Sequence, residues 1–418
     1  MNRQVLSLFV FVFLTACFSG RDLSTTNMVS YYRATDNVLH PEITYHNTVD
    51  SSTVLYVKVH PDEFLYVRQP DESFKSFIRI YAELVESYES LRAMDSSSAE
   101  FSFEMADKAK TKLLKMVLPV HSSGNFLIHL TIFDKNRNSS EDFFIPYDNS
   151  AAVTAGDFLI TGMNDQPLFR TFVSATDTFR LKSKKESDDS VLCRYYNRSF
   201  DLAAPPFSFD MHAEFNYHPD SIFKLPLRSD QGIVLAAEGF YLISNDTSVY
   251  SGATIFRFSP GFPSVVYPAQ MADALRYLIS KKEYDELKSA TNLKKAVDEF
   301  WLARGGSEEK TRALIKRYYG RVQEANRLFT SYTEGWRTDR GMIFVIFGMP
   351  TTIYKSSNSE SWIYGTQGSP LSINFFFTRV NNPFTTNDYT LSRTPIYEAN
   401  WYRAVETWRQ GRVYNSFN

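Results

Sequence analysis

The sequence predicts a multidomain β plus α+β protein, in which two β-sandwiches are followed by a helical segment leading into a small antiparallel sheet. Three observations predict it. Apolar residues alternate with period two to about Pro146 and less regularly to about Pro263, the period becomes helical after Pro268, and short strand-like runs return beyond residue 340. Aromatic residues make up 16% of the 418-residue chain, led by 35 Phe and 25 Tyr, and such rings suit pleated, half-buried surfaces. At roughly 150 residues per domain, the length implies two or three domains, each large enough for its own core.

The first β-sandwich is expected over residues 28–147. Leu55, Val57 and Val59 fall on one face while Lys58 and His60 fall on the other. The pattern repeats in Ile78, Ile80, Ala82 and Leu84, and again in Phe126, Ile128, Leu130 and Ile132 behind the turn at residues 122–125. Polar stretches at Asp95 to Ser98 and Asn136 to Ser140 are read as breaks between strands. Several short strands with this punctuation predict an immunoglobulin-like sandwich. A second sandwich is expected over residues 151–263, with strands at Val191 to Tyr196, Ile233 to Ala237, Tyr241 to Ser244 and Thr254 to Phe258. Pro205, Pro206, Pro219 and Pro226 fall in its connections, and the charged run Lys182 to Asp189 is read as a solvated loop.

The α+β module is expected over residues 268–418. Pro268 suits the first turn of a helix running to about Ser280. A further helix starts near Thr291, buries Leu293, Val297, Phe300 and Trp301, and stops at Gly305-Gly306. The longest begins near Ser307 and carries Leu314, Tyr318, Val322, Ala325 and Phe329 at helical spacing, its charges forming a solvated face. Strands are predicted at Ile343 to Phe347, Thr352 to Lys355, Trp362 to Tyr364 and Ile373 to Phe377.

At the N-terminus, Arg3 precedes an apolar run from Val5 to Leu14 that is too short to span a bilayer. It closes on Leu14-Thr15-Ala16-Cys17, which resembles the lipobox of bacterial lipoproteins. The resemblance implies that residues 1–16 are a signal peptide, that Cys17 is acylated, and that residues 17–27 form a tether. Several acyl chains at about 0.8 kcal/mol per buried methylene would hold the protein stably at a membrane. Phe18-Ser19-Gly20-Arg21-Asp22 lacks the acidic cluster of a surface-export tag, so the expected location is the periplasm-facing side of the outer membrane. No later stretch has the run of apolar residues that a membrane helix needs. Cys193 is the second of two cysteines and is read as a buried strand thiol, so no disulfide is expected.

The formal net charge of −2 carries no nucleic-acid footprint. All seven histidines, at positions 40, 46, 60, 121, 129, 212 and 218, precede the helical region. Residues 268–418 therefore lack Ser-His-Asp or Cys-His nucleophiles and a His/Cys zinc site. His212 and His218 flank Glu214, but the spacing does not match a helical HExxH face. No cofactor and no metal are expected.

Gly335-Trp336-Arg337-Thr338-Asp339-Arg340-Gly341 stands between the longest helix and the final strands, followed by residues 343–347 and Gly348-Met349-Pro350. Around it lie Phe300, Trp301, Arg304, Arg321, Val322, Ala325, Asn326, Phe329, Glu360, Trp362 and Tyr364. Together they closely resemble the GWxTD domain of Bacteroidota envelope proteins, from about Ala269 to Gly365. The resemblance implies a fold, a compartment and a pair of preceding sandwiches, and it carries no activity. Two departures stand out. Gly305 occupies a place where such domains often carry an acid, and Gly348-Met349-Pro350-Thr351 replaces the common Gly-Pro-Pro-Asp.

Read physically, the motif is a structured entry into a sheet. Gly335 and Gly341 would supply positive φ, Asp339 would accept main-chain N–H groups two residues on, and Arg340 would pair with Glu334 or Asp339. Trp336 would plug a helix-sheet interface. The alternative makes Gly335, Trp336, Thr338, Asp339, Arg340 and Gly341 a recognition surface, since Trp and Arg dominate interface hot spots. Three functions follow from these readings. The first is a non-enzymatic, lipid-anchored envelope protein that binds another protein. The others are a hydrolase using Asp339 and Glu360, and a lipoprotein that stacks glycans on its aromatic residues.

Overall fold

The computed structural model describes residues 22–414, apart from 34–36, 151–152, 186–188, 209–214, 228–231 and 247. Cys17, the leader before it, His212 and Glu214 lie outside the described residues.

The first β-region comprises β1 (Glu42–Asn47), β2 (Ser52–Val59), β3 (Val67–Arg68), β4 (Phe74–Val85), β5 (Ala93–Glu104), β6 (Lys112–Pro119), β7 (Asn125–Asp134) and β8 (Ser139–Asp148). β1, β2 and β6 form one antiparallel sheet, and β3, β4, β5, β7 and β8 form a second. The two sheets share one core. Leu55, Val57, Val59, Leu114, Met116 and Leu118 from the first meet Ile78, Ile80, Ala82, Leu84, Ile128, Leu130 and Ile132 from the second. The period-two alternation is legible here because each sheet buries one face. Asp95 to Ser98 does not break the chain: it lies inside β5, whose residues at those positions pair with β4. Its polarity reflects a strand with little buried side-chain surface, not a turn.

The middle region holds β9 (Phe158–Gly162), β10 (Phe179–Ser183), β11 (Ser190–Tyr196), β12 (Ser221–Pro226), β13 (Gly239–Ser244) and β14 (Ala253–Arg257). β9 pairs with β10, and the other four form an antiparallel sheet in the order β12-β11-β13-β14. Ile233 to Ala237 is not a strand; Ile233 makes an isolated bridge to Phe179. Lys182 belongs to β10, so the expected charged loop begins later. β13 is buried on both faces. Tyr241 and Ile243 face the core shared with β9 and β10, while Phe240 and Leu242 face an aromatic cluster that includes Phe384 of the C-terminal region. A strand covered on both sides loses its alternation, which explains the weaker period of this region.

The C-terminal region begins with α1 (Pro268–Ala274), with Pro268 in its first turn as expected, followed by α2 (Lys281–Lys288). In α3 (Leu293–Gly305) the N-cap is Asn292, whose side chain accepts the Lys295 N–H, and Gly306 ends the helix at φ 70°. α4 (Glu308–Leu328) is capped by Ser307. The next element corrects the sequence reading. Residues 343–347 are not a strand but the end of a helix, α5 (Asp339–Phe347). Every residue of α5 is buried, so it is apolar all round after its first turn, and periodicity does not separate such a segment from a buried strand. The sheet follows as β15 (Thr352–Lys355), β16 (Ser359–Tyr364), β17 (Ile373–Arg379) and β18 (Tyr389–Leu391), antiparallel and in sequential order, before α6 (Glu398–Arg409). α6 carries Trp401, Ala404, Val405 and Trp408 at helical spacing, a signal present in the sequence.

Residues 22–33 do not hang free. They lie along the seam between the first β-region and β15. The Leu23 N–H donates to the Tyr88 carbonyl at 2.9 Å, and the Met28 N–H to the Ile353 carbonyl at 2.8 Å. The Asn27 amide donates to the Thr351 carbonyl and its oxygen accepts the Ile353 N–H. Met28 is buried against Val85, Tyr88 and Leu127. Part of the expected tether is therefore structural.

Candidate functional site

The motif builds the entry to α5. Glycine is needed at its two ends for close approach and not for positive φ. A Cβ on Gly335 would stand 2.0 Å from the Ala325 carbonyl oxygen, and one on Gly341 would stand 1.8 Å from the Gly335 oxygen. Thr338 is the N-cap of α5, its hydroxyl accepting the Gly341 N–H at 3.1 Å and donating to the Gly335 carbonyl. The Trp336 ring is buried beside Tyr277, whose hydroxyl donates to the Trp336 carbonyl at 3.1 Å. The indole N–H donates to Glu334, and the Trp336 backbone N–H donates to Asn326.

The two charged residues of the motif point to different partners from those expected. Asp339 takes a two-pronged grip from Arg393 at 2.6 and 3.0 Å and accepts the Leu391 N–H at 2.7 Å, which ties α5 to β18. Arg340 pairs with Glu360 at 3.0 Å, not with Glu334 or Asp339, and donates to the Asn387 carbonyl at 2.8 Å. Glu360 also meets Lys355 at 3.0 Å, the Tyr32 hydroxyl at 2.8 Å and the Trp362 indole N–H at 3.1 Å. Burial drives the Glu360 carboxyl upward, but Arg340 and Lys355 outweigh it and hold its pKa at about 2. The Lys355 ammonium lies within 6 Å of the ring centroids of Tyr32, Tyr88 and Tyr389, so one cation joins three parts of the chain.

The far end of α5 is closed with equal care. Arg321 donates to the Val345 and Ile346 carbonyls at 3.1 and 3.0 Å, and the Trp408 indole N–H donates to Ile346. Gly348 leaves the helix at φ 84°, and a Cβ there would stand 2.6 Å from the Arg321 guanidinium. Tyr364 donates to the Gly348 carbonyl. The two departures noted in the sequence are also accounted for. A Cβ on Gly305 would meet Thr311 Oγ1 at 2.1 Å, so no acidic side chain fits, and the Thr351 hydroxyl donates to Ile363 and Gly365 to hold the turn before β15.

A family model of the GWxTD domain matches residues 239–410. The chain carries a GWxTD domain. The match begins within the middle sheet, at β13, and so takes in more than the span Ala269 to Gly365 over which the motif residues are recognised in the sequence. Its start is structurally sensible, because β13 and β14 contribute Phe240, Leu242 and Phe256 to the aromatic cluster shared with Phe384. No curated protein matches the chain.

Two readings of the GWxTD motif change with this geometry. Trp336, Asp339 and Arg340 are 4%, 5% and 1% exposed, so these side chains sit within the framework of the domain. Asp339 and Glu360 are each held by a separate arginine, with both carboxylate oxygens engaged. Among the described residues, no group of His, Cys, Asp and Glu could hold a metal ion, and no helix is long and apolar enough to cross a membrane.

What the motif supports is a cleft of about 840 Å³ at the seam between the middle region and the GWxTD domain. Its walls are the stretch 202–207, the connection between α1 and α2 with the start of α2, and α6. The stretch is pinned across the motif: Ala203 N–H donates to the Arg337 carbonyl, Arg337 donates to Phe200, and Arg393 donates to Ala204. Tyr277 and Trp401 form part of the lining, and Tyr277 rests on Trp336. In its lining Phe207 packs against Tyr402 with ring centroids 5.3 Å apart, and Glu283 takes a two-pronged grip from Arg409 at 2.8 and 3.1 Å. A concave, largely apolar site with a few charges at a domain seam is where ligands and partner side chains are usually received. The residues that matter most here, Tyr32, Lys355, Arg393 and Tyr402, had no motif to mark them.

Proposed function

We propose that the protein is a lipid-anchored component of a Bacteroidota envelope, held by Cys17 on the periplasmic side of the outer membrane, that binds another protein without catalysing a reaction. In this reading the two β-regions are immunoglobulin-like spacers, and the partner inserts a side chain or short segment into the cleft beside Tyr402. The observation that carries it is the division of labour within the GWxTD domain. The charged groups of the motif are spent on internal ties, while the neighbouring cleft presents Phe207, Ile279, Tyr402 and Val405 between Arg276 and Glu406. One exposed aromatic, Tyr402, set among half-buried apolar residues with a charged rim is the anatomy of an interface anchor.

The test is crosslinking in cells followed by purification. Tyr402 is 56% exposed, so Tyr402→Glu should leave the melting temperature within about 2 °C, as surface substitutions do. A partner recovered with the wild type should be lost with this variant and kept with Lys294→Glu. Equal recovery from all three proteins defeats the proposal.

A specific feature also favours glycan binding. Tyr217 and Tyr250 stand 6.2 Å apart beside Asn381, Asn382 and Pro383 in a shallow pocket, a combination of ring faces and amides suited to a sugar. Binding of a neutral oligosaccharide that Tyr250→Ala abolishes would establish it, and a glycan array without a binder would remove it.

A further inference from the structure

We infer that the protein stands on the lipid surface by one defined end: the seam where residues 22–28, the β4–β5 turn and the β15–β16 turn come together. The inference rests on the proposed acylation of Cys17. Its further ground is the path of the chain just after that residue.

Residues 22–28 are fixed by main-chain hydrogen bonds to Tyr88 and Ile353, and the Asn27 side chain bridges Thr351 and Ile353. The two turns are joined beside them, since the Glu89 carboxylate accepts the Ser357 N–H at 2.8 Å and its hydroxyl at 2.7 Å. Asp22 accepts the Ser24 N–H and hydroxyl, so the ordered path reaches Asp22 itself. Five Cα steps separate Cys17 from Asp22, which reach at most about 18 Å when fully extended. A compact chain of this size has a radius of gyration of about 21 Å. A leash shorter than the body's own radius cannot let it tumble freely, so the end carrying Asp22 faces the lipid. The face is not cationic, with Glu86 and Glu89 beside Arg92, so the acyl anchor and not headgroup charge holds it there.

The β4–β5 hairpin provides an internal ruler. Its strands have twelve residues each and rise about 3.4 Å per residue, so Lys108, beyond the far end of β5, lies roughly 37 Å from Glu86 at the tip. The experiment uses full-length acylated protein in phosphatidylethanolamine/phosphatidylglycerol vesicles containing a headgroup-nitroxide lipid. Thiol-reactive fluorophores are placed at Glu86→Cys, Asn358→Cys and Lys108→Cys. Cys193 is fully buried and burial pushes its thiol up to about 12, so it stays unlabelled, and acylation blocks Cys17. Quenching at positions 86 and 358 should exceed that at 108 by at least threefold. Equal quenching at all three, or stronger quenching at 108, on protein whose mass shows the acyl group overturns the orientation alone. Protein without an acyl mass on Cys17 overturns the anchor and the orientation together.

Discussion

The first β-region and the GWxTD domain bury their interiors with different chemistry. Between the first two sheets the packed residues are mostly aliphatic and aromatic, with an uncharged polar cluster of Asn47, Thr53 and Tyr147, and a buried carboxylate of that region, Asp134, sits at the end of β7 accepting backbone N–H groups of Leu65, Asn136 and Arg137. In the GWxTD domain, Arg340, Glu360, Asp339 and Arg321 lie inside the core, each tied to groups distant in sequence. An apolar core tolerates exchange of one hydrophobic residue for another of similar size. A core with buried charges is coupled through its pairs, and removing one partner strands the other. The difference teaches why the motif holds two adjacent charged residues: Asp339 fastens α5 to β18, and Arg340 fastens it to Glu360 of β16, which in turn accepts the Tyr32 hydroxyl.

The contrast can be tested with an internal reporter. All five tryptophans, at positions 301, 336, 362, 401 and 408, belong to the GWxTD domain, so their fluorescence follows that domain while far-UV circular dichroism follows the whole chain. The largest effect is expected from Glu360→Gln, which leaves Arg340 and Lys355 without a counter-charge at a cost of about 3–5 kcal/mol. Urea unfolding read by fluorescence should show it. The effect carries a pH signature. The folded carboxyl of Glu360 titrates at about 2, below its ordinary 4.5, so its contribution is present above about pH 4.5 and fades as the pH falls toward 2. Wild type and Glu360→Gln should therefore converge in stability on acidification, and a gap constant from pH 7 to pH 3 would show that the pair contributes no charge interaction.

Leu130→Ala, in the first core, should cost about 2–5 kcal/mol through lost burial and a cavity, with no pH dependence from the substituted group. If it shifts the dichroism transition and leaves the tryptophan transition in place, the two regions unfold separately. Movement of both transitions would show that the contacts along their seam, Glu89 with Ser357 and Lys355 with Tyr88 among them, couple the two regions, which sharpens the comparison. The smallest effect is expected at the cap. Thr338→Ala should cost about 1 kcal/mol and Thr338→Ser close to nothing, because only the hydroxyl oxygen is needed. Equal loss in both variants would mean that the threonine methyl, and not the cap, is what the position requires.

Much of the scaffold was legible along the chain. Alternation located β2, β4 and β7, since each buries one face, and Ser307, Pro268 and Gly305-Gly306 marked helix ends through local backbone chemistry. The motif marked the GWxTD domain. The same reading misplaced residues 343–347, because a segment enclosed on all sides has no polar face to reveal its period. It also mispaired the charges of the motif, taking Arg340 toward its neighbours Glu334 and Asp339 and not toward Glu360.

By itself, then, the sequence determined the elements whose signals are local: strand faces, caps and helix stops. Tertiary structure alone decided what those elements serve. Tyr32 reaches Glu360 across 328 positions, Asp339 meets Arg393 across 54, and the stretch 202–207 closes a cleft over the motif. Charge pairs of this kind are chosen by three-dimensional proximity inside a core where an unpaired charge is costly, and sequence spacing carries no record of that proximity.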